Sequence, residues 1–403
     1  MRMPALMIAA ATALALAAPL HAKTIEVAAG DGAQARLQEA LILAQPGDVV
    51  QLGAGRFAMS DGLSLDAKGV TVRGMGMDST VLDFTGQKGA GEGLLVTSDE
   101  VTLRDFAVEN AHGDGIKSKG ADNIAYYRVR VTWTGGPKET NGAYGIYPVQ
   151  STGVLIDGCK VSGASDAGIY VGQSRAITVR YNYVENNVAG IEIENSRDAL
   201  VSGNLVTRNT GGILVFDLPA LPVMGGGNTL IEGNTVVAND TPNFAPKGNI
   251  VAGVPRGTGI MVMANEMVAV SGNVLVDNPT AQIMVVAYPN AYQDPRYNPL
   301  PRRIVIGDNR IVGGGNEPQF PGGDALKALF GGSLPPLVWD GLGGKDALIV
   351  GTKLSGLSLN LPKQGASPTE AKPEGLAFAP MAAVLPMPAP VGAPTALEAR
   401  LKR

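Results

Sequence analysis

Cysteine is nearly absent: Cys159 is the only one in 403 residues. An intramolecular disulfide and any site built on several thiolates are therefore excluded. Histidine is almost as scarce, with His21 and His112 alone. Aromatic residues make up 5% and charged residues 17% of the chain. Lys and Arg number 32 against 36 Asp and Glu, a net charge of −4. With no basic excess there is no electrostatic footprint for nucleic acid. Beyond the first residues no apolar run approaches the ~20 residues of a membrane-spanning helix. What is abundant is glycine, 54 residues, in a chain that is 45% hydrophobic. Without a Gly-X-Y period, that composition suggests many turns around a large apolar core, an all-β or repeat design.

Residues 1–22 have a basic start at Arg2, an apolar stretch from about Ala5 to Ala18, and a small residue at Ala22. This is the pattern of a secretory signal, with an expected cleavage near Ala22 and a periplasmic or secreted product. Cleavage leaves His112 as the sole histidine.

Gly-Ile pairs recur at Gly115, Gly145, Gly168, Gly190, Gly212 and Gly259, with spacings of 30, 23, 22, 22 and 47. Taking 22 as the unit, the spacing of 30 holds a loop near 135–141. The spacing of 47 holds inserts at 217–227 and 240–256. Apolar residues keep the same phase: Ile124, Val154, Ile177 and Ala199 eight after each Ile, and Val131, Val161, Val184 and Val206 fifteen after. Each unit thus carries three short alternating segments, which are strands. A 22-residue unit of three strands cannot bury its own inner face and must stack on its neighbours. The expected fold is all-β, a right-handed parallel β-helix of about ten coils. Asn182, Asn204 and Asn273 share one phase, with Cys159 at the same place in an earlier coil. Their amides are expected to form a coil-to-coil ladder at a bend where Asn takes the left-handed conformation. Cys159 is expected to be a buried small residue of that stack.

The flanks differ. Residues 33–44 form an amphipathic helix expected to cap the first coil. Residues 288–301 interrupt the repeat, 324–330 suggest a helix, and Trp339 is placed to plug the far end. The β-helix domain is expected over 23–345, with 346–403 a Pro- and Ala-rich tail that is largely disordered.

The opening LQEALILAQPGDVVQLGAGRF and the coils that follow resemble the pectin-lyase-like class over roughly Lys23–Gly315. The strings NGAYGIYPVQS, SDAGIYVGQS, NVAGIEIENS and NTGGILVFDLP are similar to a family of exported bacterial β-helix proteins of unsettled function. That resemblance implies an exported protein, sometimes paired with a secreted cytochrome-like partner. Tyr144-Gly145-Ile146-Tyr147-Pro148-Val149 is similar to the Tyr-Gly-Ile-Asp-Pro-His motif of mannuronan epimerases. Tyr147 stands where that motif has Asp and Val149 where it has His, so both ionisable groups are missing. The motif set of polygalacturonases has no counterpart.

Alternation sets what faces outward from the Gly-Ile strands. One column reads Lys117, Tyr147, Tyr170, Glu192, Leu214, Met261; a second reads Lys119, Val149, Gly172, Glu194, Phe216, Met263. The preceding turns add His112, Asp114, Tyr144 and Asp166. Eliminative cleavage or epimerisation of a uronate needs a carboxylate neutraliser, a base and an acid. Lys117 or Lys119 could neutralise, His112 could be the base, and Tyr147 or Tyr170 the acid. Asp114, Lys119, Tyr144, Asp166, Glu192 and Glu194 would line a polysaccharide groove. A hydrolase would instead use two of the carboxylates. No motif implies a cofactor; Ca2+ is an option only through Asp166, Glu192 and Glu194, fewer carboxylates than calcium usually takes. The apolar half, Leu214, Phe216, Met261, Met263 and Met284, has three competing readings. It is a face covered by the inserts, a docking surface for a partner protein, or a thioether site for Cu(I). The last has a parallel in periplasmic β-helix proteins that assist copper-site maturation.

Overall fold

The computed structural model describes residues 22–380, 386–389 and 392–402. The expected signal segment, residues 1–22, lies outside the described residues except for Ala22. The chain winds as a parallel β-helix with three sheets along its length. Two of them have 12 strands and the third has 10. Nearly all pairing is parallel and in strict register, each strand bonded to its counterpart one coil away. Among the described residues only the strand Glu374–Phe378 runs antiparallel, against Leu354–Ser358.

The Gly-Ile strands make one of the 12-stranded sheets. Ile116, Ile146, Ile169, Ile191, Ile213, Ile260 and Ile283 form an inward column, each fully buried. Val131, Val161, Val184, Val206, Val236 and Leu275 form a matching column from the 10-stranded sheet. The glycine before each of the first six isoleucines has an ordinary backbone and is required by packing. A Cβ on Gly190 would sit 2.6 Å from the carbonyl oxygen of Gly212 and 2.6 Å from Val206 Cγ1. The repeat is thus a signature of close coil-to-coil approach.

The asparagine ladder exists and is longer than the sequence phase suggests. Asn182, Asn204, Asn234, Asn273 and Asn309 are linked, each side-chain oxygen accepting the N–H and amide of the Asn one coil earlier. Cys159 begins the stack by donating its N–H to Asn182 Oδ1 at 2.8 Å. It is buried, and burial pushes its thiol up to about 12, so it is an inert member of the stack. A second ladder joins Asn187, Asn209, Asn239 and Asn278. One expectation is corrected. The left-handed residue at the bend is not the asparagine but the residue before it, Tyr181, Gly203, Gly233 and Gly272, with φ of 56°, 65°, 63° and 70°. The asparagine instead caps the bend through its amide.

Helix α1, Ala33–Leu43, buries Leu37, Ala40 and Leu41 against the first coil. Helix α2 spans Gly323–Leu329, and Trp339 packs against the last residues of the core. The C-terminal segment differs from the disordered tail expected there. Strands Leu348–Val350 and Leu354–Ser358 continue two sheets. Helix α3, Thr395–Leu401, packs back on the flank of the solenoid, burying Leu397 against Ala125 and Leu155. Arg180 pairs with Glu398 at 2.7 Å, and Arg104 donates to the Leu401 carbonyl at 2.9 Å. Proline and alanine masked this segment because its few apolar contacts are long-range.

Candidate functional site

The register of the Gly-Ile sheet aligns the outward columns as the alternation requires. Lys117 lies beside Tyr147, Tyr170 beside Glu192, Glu192 beside Leu214, Leu214 beside Met261, and Met261 beside Met284. The face is therefore polar at one end and apolar at the other. Most of it is covered: the inserts lie over the apolar half, as one of the three readings has it, and the cover extends to Asp166, Glu192 and Glu194, which were expected to line an open groove. Residues from both inserts, Leu218, Phe244, Ile250, Val251 and Val254, pack over it. Leu214 and Phe216 are fully buried, and Met261, Met263 and Met284 nearly so. The docking surface considered for a partner protein is thus occupied by the chain itself.

The cover reaches the carboxylates. Asn249 of the second insert donates to Asp166 Oδ2 at 3.0 Å. Asp166 and Glu194 are each 6% exposed and Glu192 1%. Tyr170, 4% exposed, donates its hydroxyl to Glu194 Oε1 at 2.6 Å. Burial pushes Asp166 up to about 7, with the charge of Glu194 adding to it. Burial also pushes Glu194 up to about 7, against the hydrogen bond from Tyr170. Glu192 is raised well above the usual carboxylate range by burial and by the charges of Asp166 and Glu194. Neither Glu192 oxygen has a donor among the surrounding groups. A buried carboxylate without a donor is costly. Protonated, it can donate to Glu194, and that is the form this environment favours. Burial together with these carboxyls holds the phenols of Tyr144 and Tyr170 far above their ordinary range, so neither is a proton donor of ordinary strength.

An open rim lies beyond the cover. Tyr144, Tyr147 and Tyr170 pack together with ring centroids 4.5, 4.5 and 4.9 Å apart. Tyr144 and Tyr147 are half-buried. Lys117 Nζ sits 4.9 Å from the centroid of the Tyr147 ring. It also pairs with Glu92 Oε1 at 3.1 Å and Asp114 Oδ2 at 3.5 Å. Burial would lower the Lys117 ammonium, but the hydrogen bond to Glu92 and the charges of Asp114, Tyr147 and Glu92 outweigh it and raise it. Burial lifts Asp114 despite the neighbouring Lys117. Lys119 is exposed two residues further along the strand, beside Val149.

The structure therefore brings together Asp114, Lys117, Tyr144, Tyr147, Tyr170, Asp166, Glu192 and Glu194. It leaves His112 apart. His112 is exposed and lines a separate shallow groove of about 530 Å³ with Trp133, Lys138, Thr140 and Asn141. Its role as a base serving Lys117 and Tyr147 has no contact to support it. Among the described residues, no group of three or more His, Cys, Asp or Glu side chains is placed to hold a metal ion. Glu92 and Asn249 join the site without having been singled out. Gly93-Leu94 repeats the glycine phase 22 residues before Gly115, so Glu92 was reachable by relaxing Gly-Ile to Gly-Leu. Asn249 sits in an insert that keeps no phase, and nothing in the sequence points to it.

Solved structures share this architecture. The A-module of a mannuronan C-5 epimerase from Azotobacter vinelandii is 15% identical with a TM-score of 0.51, over 80% of this chain and 92% of that one. The polygalacturonase of Erwinia carotovora ssp. carotovora is 14% identical with a TM-score of 0.51, over 72% and 92%. DFA-IIIase from Arthrobacter chlorophenolicus is 14% identical with a TM-score of 0.51, over 76% and 86%. At such identities the likeness is one of fold, and one fold carries many activities. No curated protein matches the chain. Among the described residues no helix is long and apolar enough to cross a membrane. The sequence itself matches the right handed beta helix region over residues 68–220 and 138–293, together more than half of its length. Repeat, register and sequence match agree, and the chain belongs to the right-handed β-helix family.

Proposed function

We propose that this is an exported protein that binds a polysaccharide at the rim formed by Asp114, Lys117, Lys119, Tyr144 and Tyr147. The observation that carries the reading is the cluster of three tyrosines, Tyr144 and Tyr147 at its open side and Lys117 over Tyr147, set where the insert cover ends. Aromatic faces bordered by charged hydrogen-bonding groups suit a sugar ring, which is apolar on its faces and polar at its edge. The structural neighbours named as epimerase and polygalacturonase make a sugar polymer a reasonable ligand class for the fold. Charge favours a neutral over an acidic sugar, because Lys117 already carries two carboxylates. A uronate would have to compete for it. Eliminative cleavage, which needs that lysine free and a base beside it, is correspondingly less well supported than binding. The carboxyls under the rim, raised toward neutral pH, are the groups available as acids, should chemistry follow binding.

A panel of neutral and uronate polysaccharides tests the reading. Binding would be followed by thermal shift, and unsaturated-uronate absorbance with and without calcium. The expected result is binding to a neutral polymer, at least tenfold weaker in Tyr147→Ala and Lys117→Ala and unchanged in His112→Ala. Binding to no polymer, or binding indifferent to Tyr147 and Lys117, would remove the assignment. Growth of absorbance on a uronate polymer would establish the lyase chemistry that the paired lysine disfavours.

A further inference from the structure

Over the apolar half of the same sheet, the cover does not close completely. It leaves a cavity of about 700 Å³, whose floor includes Phe216, Met261, Met263 and Met284. One wall is the second insert, through residues 248–250 and 252–255. Segments 286–290, 320–321 and 359–368 contribute the others. These segments are far apart in the chain and converge because the second insert and the stretch between strands Leu354–Ser358 and Glu374–Phe378 meet over one face. The volume falls within the ~300–1,000 Å³ of small-molecule sites. A recess of this size that the cover leaves open is far larger than a single water needs.

The lining selects the ligand. Among the described residues no Lys, Arg or His contributes to it, Asp340 is its only acidic side chain, and Asn249, Tyr288 and Asn290 are the polar groups at its edge. Both Asp340 oxygens are already engaged, accepting the N–H of Ala287 at 2.5 Å and of Leu342 at 2.9 Å. An anionic headgroup would find no cationic side chain to neutralise it, and a cation would find one nearly buried carboxylate, Asp340, whose remaining lone pairs point away from open solvent. A sugar would leave most of its hydroxyls unbonded against methionine, phenylalanine and proline, a cost of several kcal/mol. Three thioethers give a floor that can adjust to ligands of different outline. We infer that this cavity binds an uncharged apolar small molecule, aliphatic or aromatic, beside the Lys117–Tyr147 rim and not within it, with Asn249 at the border between the two.

The test uses the purified protein and the neutral fluorophore N-phenyl-1-naphthylamine. Saturable binding of one probe per chain is expected, displaced by a long-chain alcohol. Displacement by a carboxylate or alkylammonium of equal length should be at least tenfold weaker. Val286 stands in the outward column beside Met263 and lines the cavity. Val286→Phe should weaken probe binding at least tenfold, and Val286→Ala should leave it within about threefold, with thermal midpoints showing both variants folded. An alkyl diazirine photolabel on the unmodified protein should mark peptides from 248–255, 284–290 or 359–368. No saturable binding, a charged competitor that displaces as well as the alcohol, or labelling confined to other peptides would overturn the assignment. Because Val286 lies five strands along the sheet from Tyr147, polysaccharide binding by Val286→Phe should be unaltered, so failure of either site is read separately.

Discussion

Replacing Asn204 with alanine should unfold the solenoid more readily than any exposed asparagine change. Asn204 is 1% exposed and in mid-ladder. Its side-chain oxygen accepts the Asn182 N–H at 3.0 Å and the Asn182 amide at 2.9 Å. Its own amide donates to the Val179 carbonyl at 3.0 Å and to Asn234 Oδ1 at 2.8 Å. Alanine leaves the Asn182 N–H buried without an acceptor, which costs about 1–3 kcal/mol. The other bonds cost less, because Asn182 keeps the Ile156 carbonyl and Asn234 keeps the Asn204 N–H. Together the loss should be about 2–4 kcal/mol. Asn309, at the end of the same ladder, is half-buried, so water can replace its bonds there. Asn309→Ala should cost about half as much or less. Equilibrium urea unfolding, followed through Trp133 and Trp339, measures both. A cost below about 1 kcal/mol for Asn204→Ala, or one equal to that of Asn309→Ala, would refute the argument that the ladder is held by otherwise unsatisfied groups.

Gly190→Ala should destabilise by about 1–3 kcal/mol, because the added methyl meets a backbone oxygen and Val206 at 2.6 Å with neither free to move; urea midpoints decide it. Phe216→Ala, at a fully buried position under the inserts, should cost about 3–5 kcal/mol in the same assay. The pH dependence follows from the raised carboxyls. Asp166 and Glu194 titrate near 4 in the unfolded chain and at about 7 when folded, so the folded state holds more protons across that window. Stability should therefore fall as pH rises from about 4 to just above 7, and Glu192→Gln, which removes a third crowded carboxyl, should flatten that slope in thermal melts. Leu397→Asp should release α3 from Ala125 and Leu155, seen as rapid proteolysis at residues 379–402 with the solenoid core intact.

The coil architecture was readable because it repeats. A glycine that admits a neighbouring carbonyl, an isoleucine that faces the core and an asparagine that bonds its counterpart recur every 22 residues. The signal failed where the physical requirement was met differently. Asn234 and Asn309 lie beyond inserts that shift the count, and Gly93-Leu94 performs the Gly-Ile role with another apolar residue. The left-handed bend was assigned to asparagine because asparagine tolerates it, whereas Tyr181 takes it in one coil and glycine in the next three. The disorder expected after residue 345 failed because Pro- and Ala-rich composition does not register a helix anchored by Leu397, Glu398 and contacts to distant coils.

The sequence by itself determined the strand period, the stacking of the coils and the order of side chains along each outward column. All of these follow from alternation and from one repeating unit. Only the tertiary structure decided which members of those columns meet solvent. The inserts carry no periodicity, so their path over Glu192, Phe216 and Met261 is set by long-range packing of apolar residues onto an apolar face. That packing turned an expected open groove into a short tyrosine rim, a buried set of raised carboxyls and an apolar cavity, and it left His112 in a groove of its own.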